Sequence, residues 1–278
     1  FKDVTVNCMI KKGNILYIGT EGEGLFEFDV EKESFKKIYL VTSYLANTIH
    51  GILGQGNNLW IATEGGLVKH NIVDKSSQLF TTLNGLRHNS IYSISALKDG
   101  TLVLGSHSNE LTYLHKDGSF SYRSIADLNQ LMDVVSLDVD NDNNLWLASL
   151  GNGIFKQEAD SFIQVTAADG LKSDYCYSVI NDGHGGVWVG HRGGLSRVSE
   201  EALTVELFDG KKGMSDDFNK GAVYIDKGED VWFGTNKRTI KFNQKKFIKN
   251  TIPPLVSIKR LLLSDNEIKI NENIEVDY

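Results

Sequence analysis

Residues able to bind or transform a ligand are scattered along this chain rather than gathered in one motif. Asp138-Val139-Asp140-Asn141-Asp142-Asn143-Asn144 sets oxygen ligands at alternate positions, as a calcium loop does. It lacks the glycine at the sixth position and the closing glutamate at the twelfth, which is Ser149, so a hairpin turn is the better reading. Gly22-Glu23-Gly24 and Gly151-Asn152-Gly153 lead into strand-like segments and lack a third glycine, which sets aside a dinucleotide fingerprint. The seven histidines form no HExxH pair, and no GxSxG elbow appears. A triad assembled from distant partners is left open. Cys8 and Cys176 have neither zinc spacing nor the count of a disulfide framework, and read as buried unpaired thiols. Neither a cofactor nor a metal is expected.

A second set is basic and aromatic: Arg87, His88, His107, Glu110, Lys172, Tyr175, His191, Arg192, Lys237 and Arg238. Arginine makes forked hydrogen bonds and tyrosine stacks, so together they suit an acidic or hydroxyl-rich ligand. The alternative for each is a solvated loop residue.

The elements that must carry these residues are repeats. An aliphatic, a large apolar, an aliphatic, a small residue and then Thr, Ser or His recur as LYIGT (16–20), LWIAT (59–63), LVLGS (102–106), LWLAS (145–149), VWVGH (187–191) and VWFGT (231–235). The second residues, Tyr17, Trp60, Val103, Trp146, Trp188 and Trp232, are separated by 43, 43, 43, 42 and 44 positions, and include all four tryptophans. A turn such as Lys98-Asp99-Gly100 precedes this strand, and a Gly-rich turn such as Glu64-Gly65-Gly66 follows it. Phe35, Phe80, Phe120, Phe162 and Phe208 centre a further strand in five of the six units. Four short strands in a unit of this length make one blade of an all-β propeller, with every blade buried on both faces by its neighbours. Six blades are visible, over 1–249.

Composition agrees. The chain has 278 residues, 41% of them hydrophobic, with 27 glycines and only two prolines. Its net charge of −7 argues against tracking a nucleic-acid backbone. No apolar run is long enough to span a bilayer. The opening residues Phe1-Lys2-Asp3-Val4-Thr5 do not read as a signal peptide.

Asn144-Leu145-Trp146-Leu147-Ala148-Ser149 and Gly186-Val187-Trp188-Val189-Gly190-His191-Arg192-Gly193-Gly194-Leu195 resemble the two-component regulator propeller repeat. Ile252-Pro253-Pro254-Leu255-Val256-Ser257-Ile258 resembles the entry into the Ig-like domain that follows such propellers, so 250–278 is expected to begin an incomplete Ig-like β-sandwich. The resemblance implies a periplasmic module, a downstream transmembrane helix leading to a histidine kinase, and detection of oligosaccharides. It also implies a seven-bladed ring, with six blades present in this chain; a closed six-bladed ring is the competing reading. A homodimer is a further expectation. An interaction scaffold is one alternative function. Streptogramin lyases, similar propellers that use a metal and a His base, supply another, with His107, His184, His191 and Glu110 as its candidates; His184 lies in a turn expected on the opposite face.

In a four-stranded blade the loops joining blade to blade and the loops between strands two and three emerge on one face. Leu83–Ser90, Ala168–Tyr175 and Asp209–Asn219 belong to the first set, and Ser106–Glu110, Gly190–Gly194 and Thr235–Thr239 to the second. Departures from the repeat are not explained by the blade itself. His191-Arg192 and Asn236-Lys237-Arg238 depart most.

Overall fold

A computed structural model describes residues 4–125, 131–210, 214–246, 261–263 and 266–268. The chain divides into two compact units, Phe1–Gln244 and Lys245–Tyr278. In the second, Leu261–Leu263 pairs antiparallel with Asn266–Ile268. The Ile252–Ile258 segment lies outside the described residues.

The first unit is a six-bladed propeller. Its first blade is built from Val6–Lys12, Ile15–Thr20, Leu25–Asp29 and Ser34–Ile38, and its second from Ile49–Gln55, Asn58–Thr63, Gly66–Asn71 and Ser77–Phe80. The third comprises Ile91–Ala96, Leu102–Ser106, Glu110–Leu114 and Phe120–Ser124, and the fourth Val134–Val139, Leu145–Ser149, Ile154–Glu158 and Ser161–Val165. The fifth comprises Cys176–Asn181, Gly186–His191, Gly194–Ser199 and Val205–Phe208. In the sixth, three strands are described: Phe218–Ile225, Asp230–Thr235 and Thr239–Asn243. Every sheet is antiparallel, with its strands in sequence order.

The repeat explains itself in this packing. The large residue of each second strand faces the following blade, and the two aliphatics beside it face the preceding one. Thus Tyr17 packs with Leu59 and Ile61, Trp60 with Leu102 and Leu104, and Val103 with Leu145 and Leu147. Trp146 packs with Val187 and Val189, and Trp188 with Val231 and Phe233. Five clusters therefore join consecutive blades, and the strands need not alternate apolar with polar because both faces are covered. The sixth blade ends the series. Trp60, Trp146 and Trp188 are 7%, 0% and 1% exposed, whereas Trp232 is only half-buried and the nearby Tyr224 is 62% exposed.

Two further motif positions acquire reasons. The aspartate of the first hairpin turn holds the turn and the tryptophan together: Asp140 Oδ1 accepts from the Asp142 and Asn144 amides, and Oδ2 accepts from Trp146 Nε1 at 3.0 Å. Asp226 does the same for Gly228, Asp230 and Trp232. The oxygen-rich segment at 138–144 is thus a turn whose central carboxylate is committed to its own backbone. The terminal hydroxyl closes the next turn: Thr20, Thr63, Ser149 and Thr235 donate to the carbonyls of Gly24, Gly66, Gly153 and Arg238 at 2.7, 2.7, 2.9 and 2.7 Å.

Candidate functional site: the mouth of the central channel

Each inner strand carries an irregularity near its start. In the first five blades a single residue is left out of the antiparallel register: Asn7, His50, Tyr92, Val135 and Tyr177. Their separations are 43, 42, 43 and 42 positions, so they occupy one place in the repeat. A bulge twists the strand and re-aims the extra side chain. In the sixth blade the irregularity grows: Phe218 pairs with Thr235 and Val223 with Phe233, leaving Asn219–Ala222 across from Gly234 alone. Gly221 there has φ +61°, a left-handed conformation that favours glycine.

The small residue of the repeat sits opposite this bulge. A Cβ on Gly19 would lie 2.5 Å from Ile49, one on Gly105 2.7 Å from Val134, and one on Gly190 2.7 Å from Phe218. Each contact is the first inner-strand residue of the next blade. The small residue admits that neighbour, and the bulge beside it turns the following side chain to the axis.

The bulges of five blades line an axial cavity of about 550 Å³, with Asn7, His50, Tyr92, Val135, Gly221 and Ala222 among its walls, whereas Tyr177 of the fifth blade packs against the cluster it shares with the sixth. It also extends to Met9, Tyr224 and Trp232, on the uncovered side of the sixth blade. The volume falls within the range of small-molecule sites.

The residues just past the second strands support the bulges. Asn7 donates to Glu21 at 2.6 Å, and His50 Nε2 lies 3.1 Å from Glu64. Burial pushes the Glu64 carboxyl up, but hydrogen bonds from Ser90 and His50 outweigh it and hold the group below the usual carboxylate value. His50 and Tyr92 meet edge to face, centroids 5.4 Å apart. Burial and then the negative charges of Asp133 and Glu64 raise the Tyr92 hydroxyl above its ordinary value. Tyr177 bonds Arg192 and raises the guanidinium pKa further.

The loops do converge on one face. The His107 backbone bridges to Asp133, Leu150 bridges to Tyr175, and the Arg192 amide donates to the Tyr175 carbonyl at 3.0 Å. The residues expected from sequence, His191 apart, fall there in three groups. Arg87, His88, His107 and Glu110 form the first. Arg87 Nε is 2.8 Å from Glu110 and its guanidinium lies 3.9 Å over Tyr122. The rings of His88 and His107 are 6.2 Å apart, and His107 Nδ1 is 2.6 Å from Asp133. In the second group Arg192 lies 4.2 Å over Tyr175, while Lys172 reaches Asp209 at 3.5 Å. In the third, Lys237 and Arg238 clamp the buried Asp216 at 3.6 and 2.8 Å.

His191 does not reach the face. It is fully buried, with Nε2 2.9 Å from Ser196 Oγ and Nδ1 donating to the Arg192 carbonyl at 3.3 Å. It stands where the other blades place their turn-closing hydroxyl. Burial lowers its pKa to about 4. His184 is held by Glu229 at 2.7 Å, in the turn between the first two strands of its blade. Cys8 and Cys176 are free, and burial pushes both thiols up, Cys8 to about 12.

No family model matches the chain, and no curated protein matches it. Solved structures do. The extracellular domain of the hybrid two-component system BT3049 from B. thetaiotaomicron superposes with a TM-score of 0.80 at 18% identity, over 96% of this chain and 39% of that one. What they share is the fold. The extracellular domain of the BT4673 system from the same organism gives a TM-score of 0.61 at 18% identity, over 86% of this chain and 38% of that one. This chain therefore spans about two fifths of those extracellular domains. A streptogramin B lyase gives a TM-score of 0.70 at 14% identity, over 87% of this chain and 80% of that one.

Proposed function

We propose that this propeller is the ligand-sensing part of an extracytoplasmic, periplasmic sensor region of a two-component system. It binds an oligosaccharide at the channel mouth and passes the event across the membrane to a histidine kinase elsewhere in the protein. The observation that carries the reading is the bulge series. The blades repeat their packing residues and vary the bulge residues, of which Asn7, His50, Tyr92 and Val135 line the cavity with Gly221 and Ala222 of the sixth blade, as a binding surface on a fixed scaffold requires. Carboxylates, imidazole and tyrosine around a cavity of this size suit hydroxyl-rich ligands. The match over nearly the whole chain to two-component extracellular domains supports the sensor setting.

The mouth offers a poor catalytic arrangement. Glu21, Glu64 and Asp133 are each engaged by a neighbouring Asn, His or Ser, and His191, which the lyase alternative would use, is sealed inside its blade. A seventh blade is part of the same proposal, because Trp232 and Tyr224 show the kind of face that other blades cover. The test is a glycan array followed by calorimetry. Saturable binding without turnover of the bound sugar is expected. Cleavage of a bound sugar, or the absence of any glycan ligand, would overturn the reading.

A further inference from the structure

The cations on this face differ in what they already hold. Arg87 holds Glu110, Lys172 holds Asp209, Lys237 and Arg238 hold Asp216, and Arg192 stacks on Tyr175 and bonds Tyr177. Lys220 is the exception. It is exposed, and among the described residues no carboxylate lies within ion-pair distance of it. It rides on the enlarged bulge of the sixth blade, where the glycine at φ +61° follows it. Its ammonium lies 5.9 Å from the Tyr92 ring centroid, although Tyr92 belongs to the third blade. The side chain thus reaches from one side of the channel to the other and covers an aromatic face at the mouth.

The carboxylates nearby form no ion pair with it. Glu64 is engaged by His50 and Ser90, and Asp133 by His107. A cation–π contact at an exposed site is weak, whereas a charge-assisted hydrogen bond to a carboxylate or sulfate is among the stronger polar contacts. An anion arriving at the mouth therefore draws the ammonium off Tyr92. The uncovered ring is then free to stack on a sugar.

We propose that the ligand is an anionic oligosaccharide, that Lys220 anchors its carboxylate or sulfate group, and that Tyr92 stacks on a sugar ring beside that group. This rests on the oligosaccharide reading above and narrows it. It makes Lys220 the determinant of charge selectivity and Tyr92 a charge-blind platform.

The experiment is calorimetry of the protein with uronate-bearing, sulfated and neutral oligosaccharides of equal length. Anionic members are expected to bind more tightly than neutral ones, and more weakly as salt is raised. The better of the uronate and sulfate arms identifies the anion. Lys220→Gln should weaken the anionic ligand about tenfold or more, weaken neutral binding not at all because it uncovers the Tyr92 ring, and be rescued by Lys220→Arg. Tyr92→Ala should weaken both classes alike. Lys220 is exposed on a bulge, so an unchanged unfolding temperature in K220Q confirms that the fold is intact. Neutral sugars binding as tightly as anionic ones, or an anionic ligand indifferent to K220Q, would overturn this inference and leave the sensor reading standing. Binding of none of the three classes would overturn both.

Discussion

His191 shows how one side chain can depart from the repeat for structural reasons. Four other blades close their second turn with a hydroxyl; here an imidazole spans to Ser196 and the Arg192 carbonyl instead. The cost is a pH dependence. Its folded pKa of about 4 lies below the ordinary value of 6.5, so the unfolded chain binds the extra proton first. Stability is then full above about pH 6.5 and is lost as pH falls toward 4. The loss amounts to a few kcal/mol, at ~1.4 kcal/mol per pH unit. His191→Thr restores the hydroxyl and should flatten that part of the stability–pH curve, measured by urea unfolding across the range. A slope identical in the variant would show that another group is responsible. The cations at 87, 172, 237 and 238 are likewise committed, each to a carboxylate of another loop. No spacing rule announces those pairings, because they join segments that only the ring brings together.

At the scale of the element, the bulge and the small residue opposite it form one device. Gly105 faces Ser93 Oγ, Val134 Cγ1 and the Val134 carbonyl, at 2.3, 2.7 and 2.8 Å from a Cβ built there. Gly105→Ala must push the fourth blade away and should cost about 1–3 kcal/mol, the usual range for overpacking. Chemical denaturation checks this, and an unchanged midpoint would mean that the neighbouring blade yields freely. The anchor strands, the hairpin turns and the small residue were legible in the sequence because each repeats at a fixed interval. The bulge was not. A single extra residue at the same place in five successive blades leaves the repeat interval almost unchanged, so nothing in the spacing marks it. What could have revealed it is chemistry rather than interval: Asn7, His50, Tyr92, Val135 and Tyr177 share one repeat position and have little else in common. The loops at Asn84–Asn89 and Asp169–Asp174 share the order Asn or Asp, Gly, Leu and then a basic residue. They prove to be one capped turn used twice. Thr81 and Thr166 cap it, and left-handed Gly85 and Gly170 close it at φ +118° and +117°.

Across the whole molecule, stability flows from blade to blade. Trp146 is buried against the fifth blade, so Trp146→Ala should cost about 3–5 kcal/mol. Trp232 has no following blade among the described residues and is half-buried, so Trp232→Ala should cost distinctly less. Equal losses in thermal unfolding would mean that the sixth blade's outer face is covered in solution. The same organisation separates scaffold from site: the interfaces between blades use the constant residues, and the axis receives the variable ones. The most direct test of that division is a crystal structure of the protein with an oligosaccharide found by the array. The account predicts the sugar at the axial mouth, within hydrogen-bond or stacking distance of His50, Tyr92 and Lys220. A sugar seated on the outer rim, touching none of these three, would contradict it.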